Sequence, residues 1–107
     1  METRNDVPNL LAMYIRNTRE IYNMTSWLQD TLIKKINKGV QPQAEYLANC
    51  SAMKTIIRES AKLLYKHDGI TPTKQEKQEA AYEHAKYILD SVQYSIKNAN
   101  KGQNKAI

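Results

Sequence analysis

Apolar positions in the first third of the chain recur in steps of four and three: Val7, Leu11, Tyr14, Thr18, Ile21, Thr25, Leu28 and Leu32. This heptad-like seam, flanked by Leu10, Ile15, Tyr22, Ile33 and Ile36, predicts one helix over about 7–38, on the order of 45 Å long at 1.5 Å per residue. Asp6 is a suitable N-cap, and Pro8 falls in the first turn, where a missing N–H costs nothing. The stop is equally marked. Lys34, Lys35 and Lys38 sit at the negative end of the helix dipole, Gly39 suits a left-handed C′ position, and Pro42 opens the next element.

The next pattern is wider. From Tyr46 through Leu47, Cys50, Ala52, Met53, Ile56, Ile57, Ala61, Leu63 and Leu64, apolar side chains cover more than half of a helical circumference. A helix over about 43–67 with that pattern needs neighbours on two sides. Lys66 and His67 occupy its last turn, and Gly69 follows. Thr73 and Glu76 then match a capping box, in which hydroxyl and carboxylate answer each other's backbone N–H. The third helix, over about 74–98, carries Ala81, Ala85, Ile88, Leu89, Val92, Ile96 and Ala99 on one face.

Together these elements predict an all-α domain over 1–99, an antiparallel three-helix bundle of up-down-up order with the longest helix first. The first five residues are a frayed lead and 100–107 a polar flexible tail. The rival arrangement is an extended helical hairpin whose third helix packs on another copy of the chain.

With 107 residues there is room for one core, and with no Phe it is built from aliphatic residues and the apolar bodies of tyrosine. No apolar run reaches the ~18 residues of a membrane span, and the polar N-terminus does not read as a signal peptide. A cytoplasmic protein is expected, with Cys50 as a small buried thiol. The net charge of +5 favours anionic partners without demanding one.

Catalytic chemistry is sparse. His67 reads as a capping residue and His84 as a residue at the core boundary. Gly-rich phosphate loops, His-Glu-x-x-His, Cys-x-x-Cys and Glu-x-x-His pairs are all absent from the sequence. The expectation is therefore a non-catalytic protein with no cofactor or metal, acting by binding.

Two features carry that expectation. Met13, Met24 and Trp27 lie off the first helix's seam, and Tyr87 and Tyr94 project one above the other opposite the Ile88/Val92 face. Large side chains placed off the core predict surface covered by a second copy or by a partner protein. Lys54, Arg58, Lys62 and Lys66 form a ridge spaced four apart on the middle helix, which Arg16 and Arg19 could widen. Like charges at that spacing repel, so the ridge is the alternative site, for nucleic acid or an anionic nucleotide.

Overall fold

The computed structural model describes residues 6–105, with side chains described through Asn98. Every element among them is helical: α1 (Asp6–Asn17), α2 (Arg19–Asn37), α3 (Ala44–Ala48), α4 (Ser51–Asp68) and α5 (Lys74–Lys105). No strand occurs among the described residues.

Five helices replace the three expected, because two predicted helices are each interrupted once. The first break is Thr18, whose backbone is extended at φ −105° and ψ 116°. Its N–H still donates to Tyr14 (3.1 Å) and its carbonyl still accepts from Tyr22 (2.8 Å), so hydrogen bonds bridge the bend. Asn17 and Thr18 are both poor helix formers, one through side-chain competition and the other through β-branching.

The second break falls at Asn49 and Cys50. Asn49 turns its side-chain amide back to the Glu45 carbonyl at 2.8 Å. Cys50 is extended, and its sulfur accepts the N–H of Met53 at 3.4 Å as the N-cap of α4. Cys50 is therefore a half-buried cap, where the sequence suggested a buried core thiol. Asn, Cys and Ser in succession favour caps over helix interiors, which accounts for the interruption.

The stops are as expected. Gly39 and Gly69 hold φ of +91° and +66°, the left-handed conformation that glycine adopts without strain. The capping box is formed: the Thr73 N–H donates to Glu76 Oε1 at 2.7 Å, and the Glu76 N–H donates to Thr73 Oγ1 at 3.1 Å. From that start α5 continues to Lys105, beyond the end expected near Asn98. The tail expected to be flexible from Asn100 is thus helical through Lys105, and the remainder of it and the lead over 1–5 lie outside the described residues. Once nucleated, a helix extends one residue at a time at little cost, so the single Gly102 need not end it.

The chain is elongated, 59 × 23 × 23 Å. α4 and α5 each touch all the other helices, so the neighbours that the wide apolar pattern of α4 called for are present. Leu11 and Ile15 of α1, Leu28 and Leu32 of α2, Met53, Ile56 and Leu64 of α4, and Ile88 and Val92 of α5 form the core. Ala80, Ala81 and Ala85 keep the buried side of α5 slim, which lets its neighbours approach closely. Tyr46, expected on the apolar face, is 73 % exposed on α3, a short helix separate from α4.

Two polar contacts hold the helices in register. Tyr14 of α1 donates to the Asp68 carboxylate at 2.7 Å and stacks on His67, both at the end of α4. That hydrogen bond raises the Tyr14 pKa above its ordinary value. Thr25 Oγ1 of α2 lies 2.9 Å from His84 Nε2 of α5, both buried.

Candidate binding groove

The wide apolar arc of α4 faces its neighbours on two sides, and its remaining polar strip borders α5. Between those two helices runs an open groove of about 1580 Å³. The α4 wall carries Lys54, Arg58, Lys62 and Tyr65, with Ile57 and Ala61 below them; the α5 wall carries Lys74, Lys77, Glu79, Tyr82 and Glu83, with Ala81 beneath. Pro8 and Asn9 of α1, Thr71 and Pro72 of the α4–α5 connection, and Glu45, Ala48 and Asn49 beside α3 complete the lining. Ile57, Pro72 and Ala81 are buried and Ala61 half-buried, so the floor is the outer edge of the core itself.

The charges along the walls are not uniform. On α4 all three are cationic. Glu59, beside the groove, answers Lys62 at 3.1 Å and Arg58 at 3.7 Å, so Arg58 does have a counter-charge, at the adjacent position. These partners are solvent-exposed, and such pairs contribute little. On α5 the wall changes sign along its length, from Lys74 and Lys77 to Glu79 and Glu83. Glu83 is held by Lys86 at 3.0 Å, which raises the Lys86 pKa, and Lys86 lies over the Tyr82 ring at 5.1 Å. Lys54, Lys74 and Lys77 make no ion pair among the described residues.

The ridge read from the sequence is thus divided. Lys54, Arg58 and Lys62 line the groove, while Lys66, Arg16 and Arg19 are exposed outside it. Arg16 lies near enough to His84 to add to the effect of burial, and together these hold the His84 pKa down at about 4. The groove's tyrosines, Tyr65 and Tyr82, and its α5 cations escaped the sequence reading. Lys74 and Lys77 were legible only as residues beside a cap, and the juxtaposition of two helices is a tertiary fact.

The off-seam side chains do not form one patch. Trp27 is 61 % exposed on α2 and Tyr94 is 69 % exposed on α5. Tyr87 stacks on His84 at 5.9 Å, and with Tyr94, Asp90, Ser91 and Ser95 it lines a shallow hollow made wholly of α5 residues. Met13 is exposed, whereas Met24 packs against the core. Among the described residues no group of three His, Cys, Asp or Glu side chains is placed to hold a metal ion. Among the described residues no helix is long and apolar enough to cross a membrane. Comparison with protein-family models, curated proteins and solved structures finds no match.

Proposed function

We propose that this is a non-catalytic binding protein of the cytoplasm that holds a protein partner in the α4–α5 groove. In this proposal α1 with α2, then α4, then α5 are the three legs of an up-down-up bundle. The observation that carries it is the groove's build: an apolar floor continuous with the core, exposed tyrosines and charged walls of both signs. Protein contact surfaces combine these parts, an apolar centre rich in tyrosine inside a polar rim. The buried histidine is engaged with Thr25 inside the bundle.

Nucleic acid is the second reading, favoured by the unbroken cationic wall of Lys54, Arg58 and Lys62. Glu79 and Glu83 on the opposite wall oppose a uniformly anionic polymer, which ranks it below a protein. Self-association through Trp27 and through the α5 face bearing Tyr94 is a further contact of the same binding class, on surfaces separate from the groove.

A photo-crosslinking residue at Tyr82, with one at exposed Lys34 as control, tests the groove in cells that make the protein. The expected result is a protein adduct from Tyr82 alone, whose purified form loses binding on Ala61→Arg. Adducts to nucleic acid alone, or equal adducts from both positions, would overturn the proposal.

A further inference from the structure

Resting on the self-association proposed for the α5 face that bears Tyr94, we infer that this face pairs with the same face of a second copy. The two α5 helices run antiparallel about a two-fold axis level with Val92.

Glu83, Tyr87, Asp90, Tyr94 and Lys97 follow one another at spacings of four, three, four and three, and all five are exposed. They form a heptad stripe on the side of α5 opposite the buried Ala81, Ala85, Ile88 and Val92. Within the stripe Tyr87, Asp90, Ser91 and Tyr94 frame the hollow, of about 430 Å³, with Ser95 at its edge. Those four stand at i, i+3, i+4 and i+7, the spacing of a hole that receives one knob from a facing helix. Its lining comes from α5 alone, and small Ser91 and Ser95 leave room for a large side chain.

Charge selects the facing helix. The charged side chains of this face are Glu83, Lys86, Asp90 and Lys97. Glu83 and Lys86 hold each other at 3.0 Å, whereas Asp90 and Lys97 make no ion pair among the described residues. Parallel pairing of two copies sets Asp90 against Asp90 and Lys97 against Lys97. Turning one copy end for end about Val92 removes both conflicts. Asp90 then meets Tyr94 of the second copy, each two positions from the axis, and Tyr87 meets Lys97, each five positions from it.

Tyr94 of the second copy becomes the knob in the hollow, where its phenol O–H donates to the Asp90 carboxylate. The Lys97 ammonium lies over the open face of the Tyr87 ring, whose other face rests on His84. Lys86 falls opposite Asn98, Ser91 opposite Gln93, and Glu83 level with Lys101, so no like charges meet. Arg16 of α1, whose charge reaches His84, stands toward the outer end of the pairing, eight positions from the axis. The face is thus its own complement in one orientation, which points to a second copy, and two-fold pairing is the commonest symmetry of protein oligomers.

Distances between spin labels test the pairing in the full chain carrying Cys50→Ser, labelled singly at Gln78→Cys or at Asn98→Cys. Asn98 lies six positions from the axis and Gln78 fourteen, so antiparallel pairing separates like positions by about 18 Å and about 42 Å along the helices. Parallel pairing would give the same short distance at both. The short distance at Asn98 should grow with protein concentration. Asp90→Lys should lower the affinity read from that growth about tenfold, and Tyr94→Phe severalfold, because a hydrogen bond to a carboxylate is lost twice per dimer. An unspecific aromatic patch would tolerate Tyr94→Phe, which keeps the ring. Both side chains are exposed, so circular dichroism of the two variants should match the parent. Equal distances at the two positions, or a short distance indifferent to Asp90→Lys and Tyr94→Phe, would overturn the inference. A dimer in sedimentation that gives neither distance leaves self-association standing through another surface and the α5 pairing wrong. A monomer at every concentration overturns both.

Discussion

Thr25 and His84 meet at 2.9 Å between α2 and α5, a buried hydroxyl against a buried imidazole. Burial, reinforced by Arg16, holds His84 at a pKa of about 4, below the ordinary 6.5. Between those values the unfolded chain binds a proton that the folded chain does not. Stability is therefore fully present above pH 6.5 and declines as pH falls towards 4. The drop of about 2.5 pH units corresponds to about 3 kcal/mol at most. Urea denaturation at pH 7, 5.5 and 4 should show that decline, and His84→Gln should flatten it.

The core gives a graded pair. Ile56 is fully buried, whereas Ile57 is 6 % exposed at the floor of the groove. Ile56→Ala should cost about 3–5 kcal/mol, as for a cavity enclosed on all sides. Ile57→Ala should cost about 2 kcal/mol, because the groove lets its surroundings relax and water enter. Chemical denaturation of both variants checks the order, and a larger loss at Ile57 would contradict it.

How much of this was legible follows from where each signal resides. The glycine stops and the Thr73–Glu76 capping box are local chemistry, and they stand in the structure as the sequence implied. So does most of the core, since Leu11, Ile21, Met53, Ile88 and Val92 recur at helical spacing. The interruptions at Thr18 and Asn49–Cys50 were hidden, because the hydrophobic period continues through them while backbone preference does not. Propensity is a small term of tenths of a kcal/mol per residue, and periodicity alone cannot reveal where it prevails. The groove was half legible: Lys54, Arg58 and Lys62 were visible as a ridge, but the opposing wall depends on how α4 and α5 pack.

The break before α4 predicts a substitution series at Cys50. Its sulfur accepts the Met53 N–H at 3.4 Å, a long contact from a weak acceptor. Serine is a preferred N-cap and its oxygen a stronger acceptor, while alanine offers none. Cys50→Ser should match or exceed the parent in stability, and Cys50→Ala should fall about 1 kcal/mol below the serine variant. Thermal melts of the three proteins under reducing conditions check the order. Alanine equal to serine would mean that the sulfur contact contributes nothing.

The aromatics outside the groove lie on separate faces of the bundle. Trp27 and Tyr94 lie 61 % and 69 % exposed on different helices, and Tyr94 shares its hollow with Tyr87 on a face of α5 lined by that helix alone. Aromatic side chains desolvated at a contact centre contribute heavily to association, often ~2 kcal/mol or more each. Either patch can meet its own counterpart on a second copy across a two-fold axis, the commonest arrangement of homodimers. Sedimentation velocity across a hundredfold concentration range should therefore show reversible self-association. Trp27→Ala, or Tyr87→Ser with Tyr94→Ser, should weaken it by at least tenfold while helicity by circular dichroism stays within a tenth of the parent. The Tyr87 change also removes the ring stacked on His84, so Tyr94→Ser alone is the cleaner variant for the α5 face. Because the groove is a separate surface, K74E/K77E should leave self-association unchanged. A single monomeric species at every concentration, with Trp27 fluorescence freely quenched by iodide, would reduce these side chains to ordinary exposed aromatics.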